Sequence, residues 1–185
     1  MKIILTIIVI AIIGGGFVLL RNGDIEEVVN IDNKTTQTET EEKEETNFDK
    51  VPDLSFVDSE GNSFKLSDLK GKPHVVNSWA VWCPFCRAEL EDFALLQEEF
   101  GDEIVVVAID RQESLEKAKG FTDEINVTNR MTFLLDSKDA FYKGIGGFSM
   151  PETIFADADG NIIIHKRGPI ALDEMRQKVN SIINQ

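Results

Sequence analysis

A chain of 185 residues with a formal net charge of −14 and two cysteines has room for one domain with a proper core and some appended chain. The excess of acid excludes a nucleic-acid-binding protein, because affinity for phosphate backbones comes from Lys and Arg. With only His74 and His165 beside the two cysteines, and no paired spacing among them, a four-ligand zinc site is not expected either.

Ile3 to Leu20 is an almost unbroken run of Ile, Leu, Val, Ala and Gly, and crossing a hydrocarbon layer takes roughly 17–25 apolar residues. A single transmembrane anchor is therefore expected over residues 1–21. Lys2 and the glycines Gly14 to Gly16 also suit a cleaved secretory signal, but Phe17, Val18, Leu19 and Leu20 carry the apolar run past that point, which favours an uncleaved segment. Lys2 and Arg21 nearly balance across the run, so charge alone does not orient it. A short N-terminal tail that stays in the cytoplasm puts the rest of the chain outside the cell membrane. Residues 22–50 include Glu39, Glu41, Glu42, Glu44 and Glu45 with few apolar residues. They cannot bury enough surface to fold and read as a disordered acidic tether.

A folded domain is expected over residues 51–185. Leu54 to Val57 and Ser63 to Lys65 flank Asp58-Ser59-Glu60-Gly61-Asn62, a hairpin pattern at a sheet edge. Val75 to Trp79 reads as a strand, followed by a helix with Cys86, Leu90, Phe93, Leu96 and Phe100 on one face at steps of three and four. Ile104 to Ile109 is a continuous apolar run, as in a strand buried on both faces, so this strand–helix–strand unit forms a parallel crossover. Leu115 to Phe121 suits a helix and Met131 to Leu135 a short strand. Thr153 to Ala156 and Ile162 to His165 flank Asp157-Ala158-Asp159-Gly160-Asn161, a tight antiparallel turn. That turn lacks the ligand spacing and the closing Glu of a calcium loop. Leu172, Met175, Val179 and Ile182 give a closing helix one apolar face. The sum is an α/β domain, a mixed sheet with helices on both faces.

Both cysteines fall in Trp82-Cys83-Pro84-Phe85-Cys86, directly after the expected strand. A disulfide across so short a loop removes little chain entropy and explains the pair poorly as a structural staple. Reversible thiol–disulfide exchange explains it better. The first cysteine sits where a helix begins, and unpaired amides with the helix dipole favour a thiolate there. Cys83 is thus the expected nucleophile and Cys86, almost one turn on, the resolving thiol. Pro84 fits a first turn, where its missing donor is not needed.

Val75-Val76-Asn77-Ser78-Trp79-Ala80-Val81-Trp82-Cys83-Pro84-Phe85-Cys86-Arg87-Ala88-Glu89-Leu90 resembles the active-site segment of membrane-anchored TlpA/ResA-type thioredoxin-like proteins. Leu66 to Pro73 resembles the loop before that segment, and Gly147-Phe148-Ser149-Met150-Pro151-Glu152-Thr153-Ile154-Phe155 their later cis-proline strand. The resemblance runs from about Val51 to the C-terminus. It implies a thioredoxin-like fold with an N-terminal β-hairpin extension, a cis Pro151 beside the cysteines, and Met150 offering backbone to an extended substrate. It further implies that Trp82, Pro84 and Phe85 help to bind substrate and that Glu89 relays a proton to or from Cys86. Asn77 stands where thioredoxin has a buried, titrating Asp, and Phe85 where a proline usually precedes the second cysteine. Trp79 reads as a core aromatic, Trp82 as a rim one.

The implied function is a membrane-tethered reductase of extracytoplasmic protein disulfides, fed by a membrane dithiol carrier, with apocytochrome c maturation as one use. The same exchange run in reverse would make a thiol oxidase, since potential rather than motif sets the direction. A peroxiredoxin-like thiol peroxidase would place a hydroxyl residue and a proline where this chain has Ala80 and Val76. A membrane-anchored binding module that makes no use of its cysteines is the remaining alternative. Gly144-Ile145-Gly146-Gly147 lacks dinucleotide spacing, so no cofactor and no metal is expected.

Overall fold

The computed structural model describes the backbone of 12–13 and 16–17 and all of residues 48–184. Among the first of these, β1 (Ile12–Ile13) and β2 (Gly16–Phe17) pair antiparallel, where hydropathy predicts part of a membrane helix. Gly16 falls in this pair, and glycine is a poor helix former in water. The remainder of the expected anchor and nearly all of the acidic tether lie outside the described residues. Among the described residues no helix is long and apolar enough to cross a membrane.

The folded domain opens with the hairpin of β3 (Ser55–Asp58) and β4 (Ser63–Lys65). Asp58 closes it by accepting the amides of Glu60 and Asn62, each at 2.8 Å, on Oδ1. A short 3₁₀ turn, Leu66–Leu69, leads into β5 (His74–Trp79), whose six residues are all buried. Then come α1 (Pro84–Phe100), β6 (Val105–Arg111), α2 (Leu115–Glu124) and β7 (Thr132–Asp136). The chain closes with α3 (Ala140–Gly144), β8 (Glu152–Ala156), β9 (Ile162–Arg167) and α4 (Leu172–Ile183). The strands line up as β4-β3-β7-β6-β5-β8-β9. β5, β6 and β7 run parallel, and every other pairing in this sheet is antiparallel. This is the thioredoxin-like α/β fold with the hairpin added at one edge.

The period-two alternation of the central strands divides the core. On one side Val75, Val106, Ala108 and Phe155 of the sheet pack against Leu90 and Phe93 of α1, Ala118 of α2 and Met175 and Val179 of α4. On the other, Val76, Val107, Ile109 and Ile154 meet Leu66, Leu69, Phe141 and Ile145. The loop that could have been a calcium site is a turn: Asp157 Oδ1 accepts the amides of Asp159 and Asn161 at 2.9 and 2.8 Å. Gly160 takes φ +79° there, a conformation costly for a residue with a Cβ. The backbone upstream of Val51 already joins this hairpin, through a bridge between Lys50 and Asn161.

Phe93 lies wholly buried between α1 and the sheet. Phe93→Ala is expected to lower the unfolding free energy by about 3–5 kcal/mol, read as a shift of the urea midpoint at unchanged slope.

Candidate active site

The site is built where the parallel strands end. Trp79, the last residue of β5, pairs with Asp110 of β6, and ligand sites in open α/β sheets gather at such carboxyl ends. The chain turns at once: the Cys83 amide donates to Ala80 O at 3.1 Å. This delivers Cys83, in an extended conformation, to the N-cap of α1 with Pro84 at the first helical position. Its Sγ accepts the amide of Cys86 at 3.1 Å, the bond a Ser or Asp oxygen makes in an ordinary N-cap.

Cys83 and Cys86 are joined by a disulfide of 2.07 Å, with Cα atoms 5.3 Å apart. Cys86 is fully buried while Cys83 keeps 3% of its surface exposed, so Cys83 is the nearer of the two to a partner. Trp82 and Phe85, on either side of it in sequence, are 59% and 62% exposed. Trp79 is fully buried, packed edge-on to Phe133 with ring centroids 6.0 Å apart. The two tryptophans therefore divide between core and rim as their positions suggest.

Glu89, one turn along α1 from Cys86, is buried rather than solvated. Its Oε1 accepts from Asn77 Nδ2 at 3.0 Å and its Oε2 from the Ile170 amide at 3.2 Å. Desolvation pushes its carboxyl up to about 7, against the pull of the Ile170 amide, the Asn77 side chain and the charge of Lys166. Asn77 Nδ2 also donates to Thr153 Oγ1 at 3.1 Å, while Asn77 Oδ1 is buried without a partner. An amide can turn to offer either end, and a hydroxyl can follow it. Asn77 can thus donate to a Glu89 carboxylate or accept from its carboxylic acid. The residue that cannot titrate serves one that can.

The Met150–Pro151 peptide is cis, as the resemblance implies. Met150 is half-buried and lies beyond the last rung between β5 and β8, Ser78 with Glu152. Pro151 is buried, and its carbonyl accepts the Gly168 amide at 2.8 Å. Sequence reasoning missed what holds this loop. The fully buried Glu152 takes the amides of Phe148 and Ser149 on Oε1, at 2.6 and 2.5 Å, and bonds His165 Nε2 at 2.6 Å through Oε2. Tyr142 donates its hydroxyl to Ser149 O at 2.9 Å under the Arg111 guanidinium, 3.4 Å from its ring centre. Arg111 is in turn held by Asp139 through two bonds of 2.6 and 2.7 Å. A Cβ on Gly147 would overlap the Tyr142 ring, so only glycine fits there.

The loop so braced presents Phe148 at 85% exposure, a third exposed aromatic in the two segments that carry the site and one that sequence reasoning did not select. Its only signal was its place three residues before Pro151. Among the described residues no group of three His, Cys, Asp or Glu side chains is arranged to hold a metal ion.

The redoxin family model matches residues 46–183. The chain is 33% identical over 135 residues to the thioredoxin-like protein YneN of Bacillus subtilis, a match spanning 70% of this chain and 76% of that one. It is 32% identical over 127 residues to the thiol-disulfide oxidoreductase ResA of Oceanobacillus iheyensis, spanning 67% of this chain and 64% of that protein. Among solved structures, the exposed lipoprotein thioredoxin of Streptococcus pneumoniae superposes with a TM-score of 0.61 at 25% identity, covering 70% of this chain and 99% of that chain.

Because Glu89 is raised from 4.5 to about 7 by folding, the native state binds its proton more tightly than the unfolded one, and stability falls as the group ionises. The stabilising contribution is complete below about pH 4.5 and is lost as pH rises through about 7. Urea unfolding of the oxidised protein across that window should show the decline, amounting to roughly 3 kcal/mol. Glu89→Gln should flatten it.

Proposed function

The chain belongs to the redoxin family and is an oxidoreductase of thiol–disulfide chemistry, and on that premise we propose that it is a membrane-tethered reductase of disulfides in extracytoplasmic proteins. The observation that carries the proposal is the Cys83–Cys86 pair at the N-terminus of α1 with a buried Glu89, raised to about 7 and so able to take up or release a proton, one turn behind it.

In the reduced enzyme the amide of Cys86, the other orphan amides of the first turn and the helix dipole favour thiolate at Cys83. That thiolate attacks one sulfur of the substrate disulfide; a Cys83–substrate bond forms, the substrate S–S bond breaks, and the leaving thiolate takes a proton from water. Cys86, fully buried, has no direct solvent to deprotonate it. Its proton passes to Glu89, and the resulting thiolate attacks Cys83 Sγ. The Cys83–Cys86 bond forms and the second substrate thiolate leaves, protonated in turn. Two electrons and two protons have moved from the enzyme dithiol to the substrate. A dithiol carrier in the membrane restores the reduced enzyme by the reverse sequence.

Trp82, Phe85 and the exposed Phe148 offer apolar contact to the chain that carries the substrate disulfide, and Met150 offers unpaired backbone next to Pro151. Large exposed aromatics in the segments that carry a reactive pair suit a docking surface. The group behind the cysteines is a carboxyl, not a cation, which gives the thiolate little support and favours a reducing couple. The apolar run Ile3 to Leu20 supports the tether, and exposure outside the membrane has a parallel in the exposed lipoprotein of Streptococcus pneumoniae. Apocytochrome c is the substrate class that the resemblance suggests. Ala80, fully buried, brings no hydroxyl to Cys83 for peroxide chemistry.

With Cys86→Ala, mixed disulfides to substrate proteins should accumulate on Cys83, visible as reducible adducts, and Cys83→Ala should abolish them along with all insulin reduction. Retention of the cellular function by Cys83→Ala would instead mark a binding module. Equilibration with glutathione should place the couple below about −200 mV, whereas a value near −120 mV would reverse the direction assigned to the exchange.

A further inference from the structure

A pair of carboxyl groups, Asp110 and Glu113, stands next to the turn that carries Cys83. Glu113, two residues past β6, accepts the Val81 amide on Oε2 at 2.6 Å. Its Oε1 is ion-paired with Lys117 of α2, and its side chain is only 5% exposed. Asp110 of β6 is 1% exposed and accepts the Glu113 amide on Oδ1 at 3.1 Å. Asp110 Oδ2 is buried and accepts no hydrogen bond, and the Asp110 and Glu113 carboxyl groups lie within hydrogen-bonding reach of each other.

Two carboxylates in such contact do not both ionise. A proton on Asp110 turns the orphaned oxygen into a donor toward Glu113 and leaves the charge where a cation and an amide receive it. Burial and then the Glu113 charge push Asp110 up to about 8. Burial would raise Glu113 as well, but Lys117 and the Val81 amide hold it below its ordinary value. The groups facing Glu113 are thus Asp110 from β6, Lys117 from α2 and Val81 from the turn. Val81 precedes Cys83 by two residues, so chain geometry keeps the Glu113 charge within about 14 Å of the sulfur.

We propose that Glu113 is a positioning residue that pins the Ala80–Cys83 turn through Val81 and sets a fixed negative charge beside Cys83, making the couple more reducing. The proposal rests on the thiol–disulfide reading above and deepens it. A negative charge disfavours the Cys83 thiolate. Reduced forms that are stabilised as thiolates make oxidising couples, so an opposed thiolate gives a reducing one. Lys117 moderates the effect from the other side.

The test uses the full chain, following the ultraviolet absorbance of the Cys83 thiolate against pH and the dithiol potential against glutathione. Glu113→Gln keeps an oxygen for the Val81 amide and removes the charge. It should raise the Cys83 ionisation constant by about threefold or more and make the potential less negative. Lys117→Met should move both readouts the opposite way. Circular dichroism checks that each variant is folded, and in Glu113→Ala, which loses bond and charge together, the ionisation should shift as in Glu113→Gln. An unmoved Cys83 in folded Glu113→Gln, or shifts of one sign in both charge variants, overturns the proposal. Ionisation is read without any substrate, so a wild-type chain that fails to reduce insulin while these opposite shifts persist overturns the reductase reading alone.

Discussion

The register of β5 between its two neighbours is the constraint on which the site depends. Six parallel rungs tie it to β6 and five antiparallel rungs to β8. One of those rungs sets Asn77 opposite Thr153, so the amide reaches the hydroxyl across the strands and Glu89 on α1 above them. A slip by one residue would turn Asn77 to the opposite face of the sheet and leave Glu89 buried with one partner fewer. The last rung between β5 and β6 joins Trp79, where β5 ends, to Asp110, which fixes where the turn to Cys83 begins.

Around the disulfide, three loops are held by three carboxyl side chains. Glu89 takes the Ile170 amide before α4, Glu152 takes the amides of Phe148 and Ser149 before Pro151, and Glu113 takes the Val81 amide before Cys83. A charge-assisted hydrogen bond contributes about 1.5–3 kcal/mol, but burial of each carboxyl costs a comparable amount or more. These groups therefore do more to fix loop geometry than to raise stability. They also make the surroundings of the cysteines acidic from within.

Where one residue pattern dictates one local structure, the sequence was legible. The apolar run of β6, the three-and-four spacing of α1 and the Asp-Gly-Asn turn each have one physical solution, and each is found. Strand ends moved by a residue where a side chain closes the ladder: the run expected to stop at Leu135 continues to Asp136, whose carboxylate takes the amides of Lys138 and Phe141. The cysteine pair was legible because spacing alone limits its chemistry. The state of Glu89 was not, because burial is set by Asn77 and Ile170, 12 and 81 residues away. Glu113 reaches Val81 across 32 residues and left no local signal. Phe148 carried no signal of exposure either: aromatic residues usually pack inward, and a loop braced by Glu152 and Tyr142 holds this one in solvent.

At the start of α1 the reactive sulfur also serves as the helix's capping acceptor. A thiolate is a far stronger acceptor than a disulfide sulfur, so the grip on the Cys86 amide tightens on reduction and slackens on oxidation. Electron transfer is thereby written into the first turn of the helix as a small mechanical signal. A reductant and an oxidised substrate, meeting the same face in turn, would each find a slightly different surface and tell the dithiol from the disulfide.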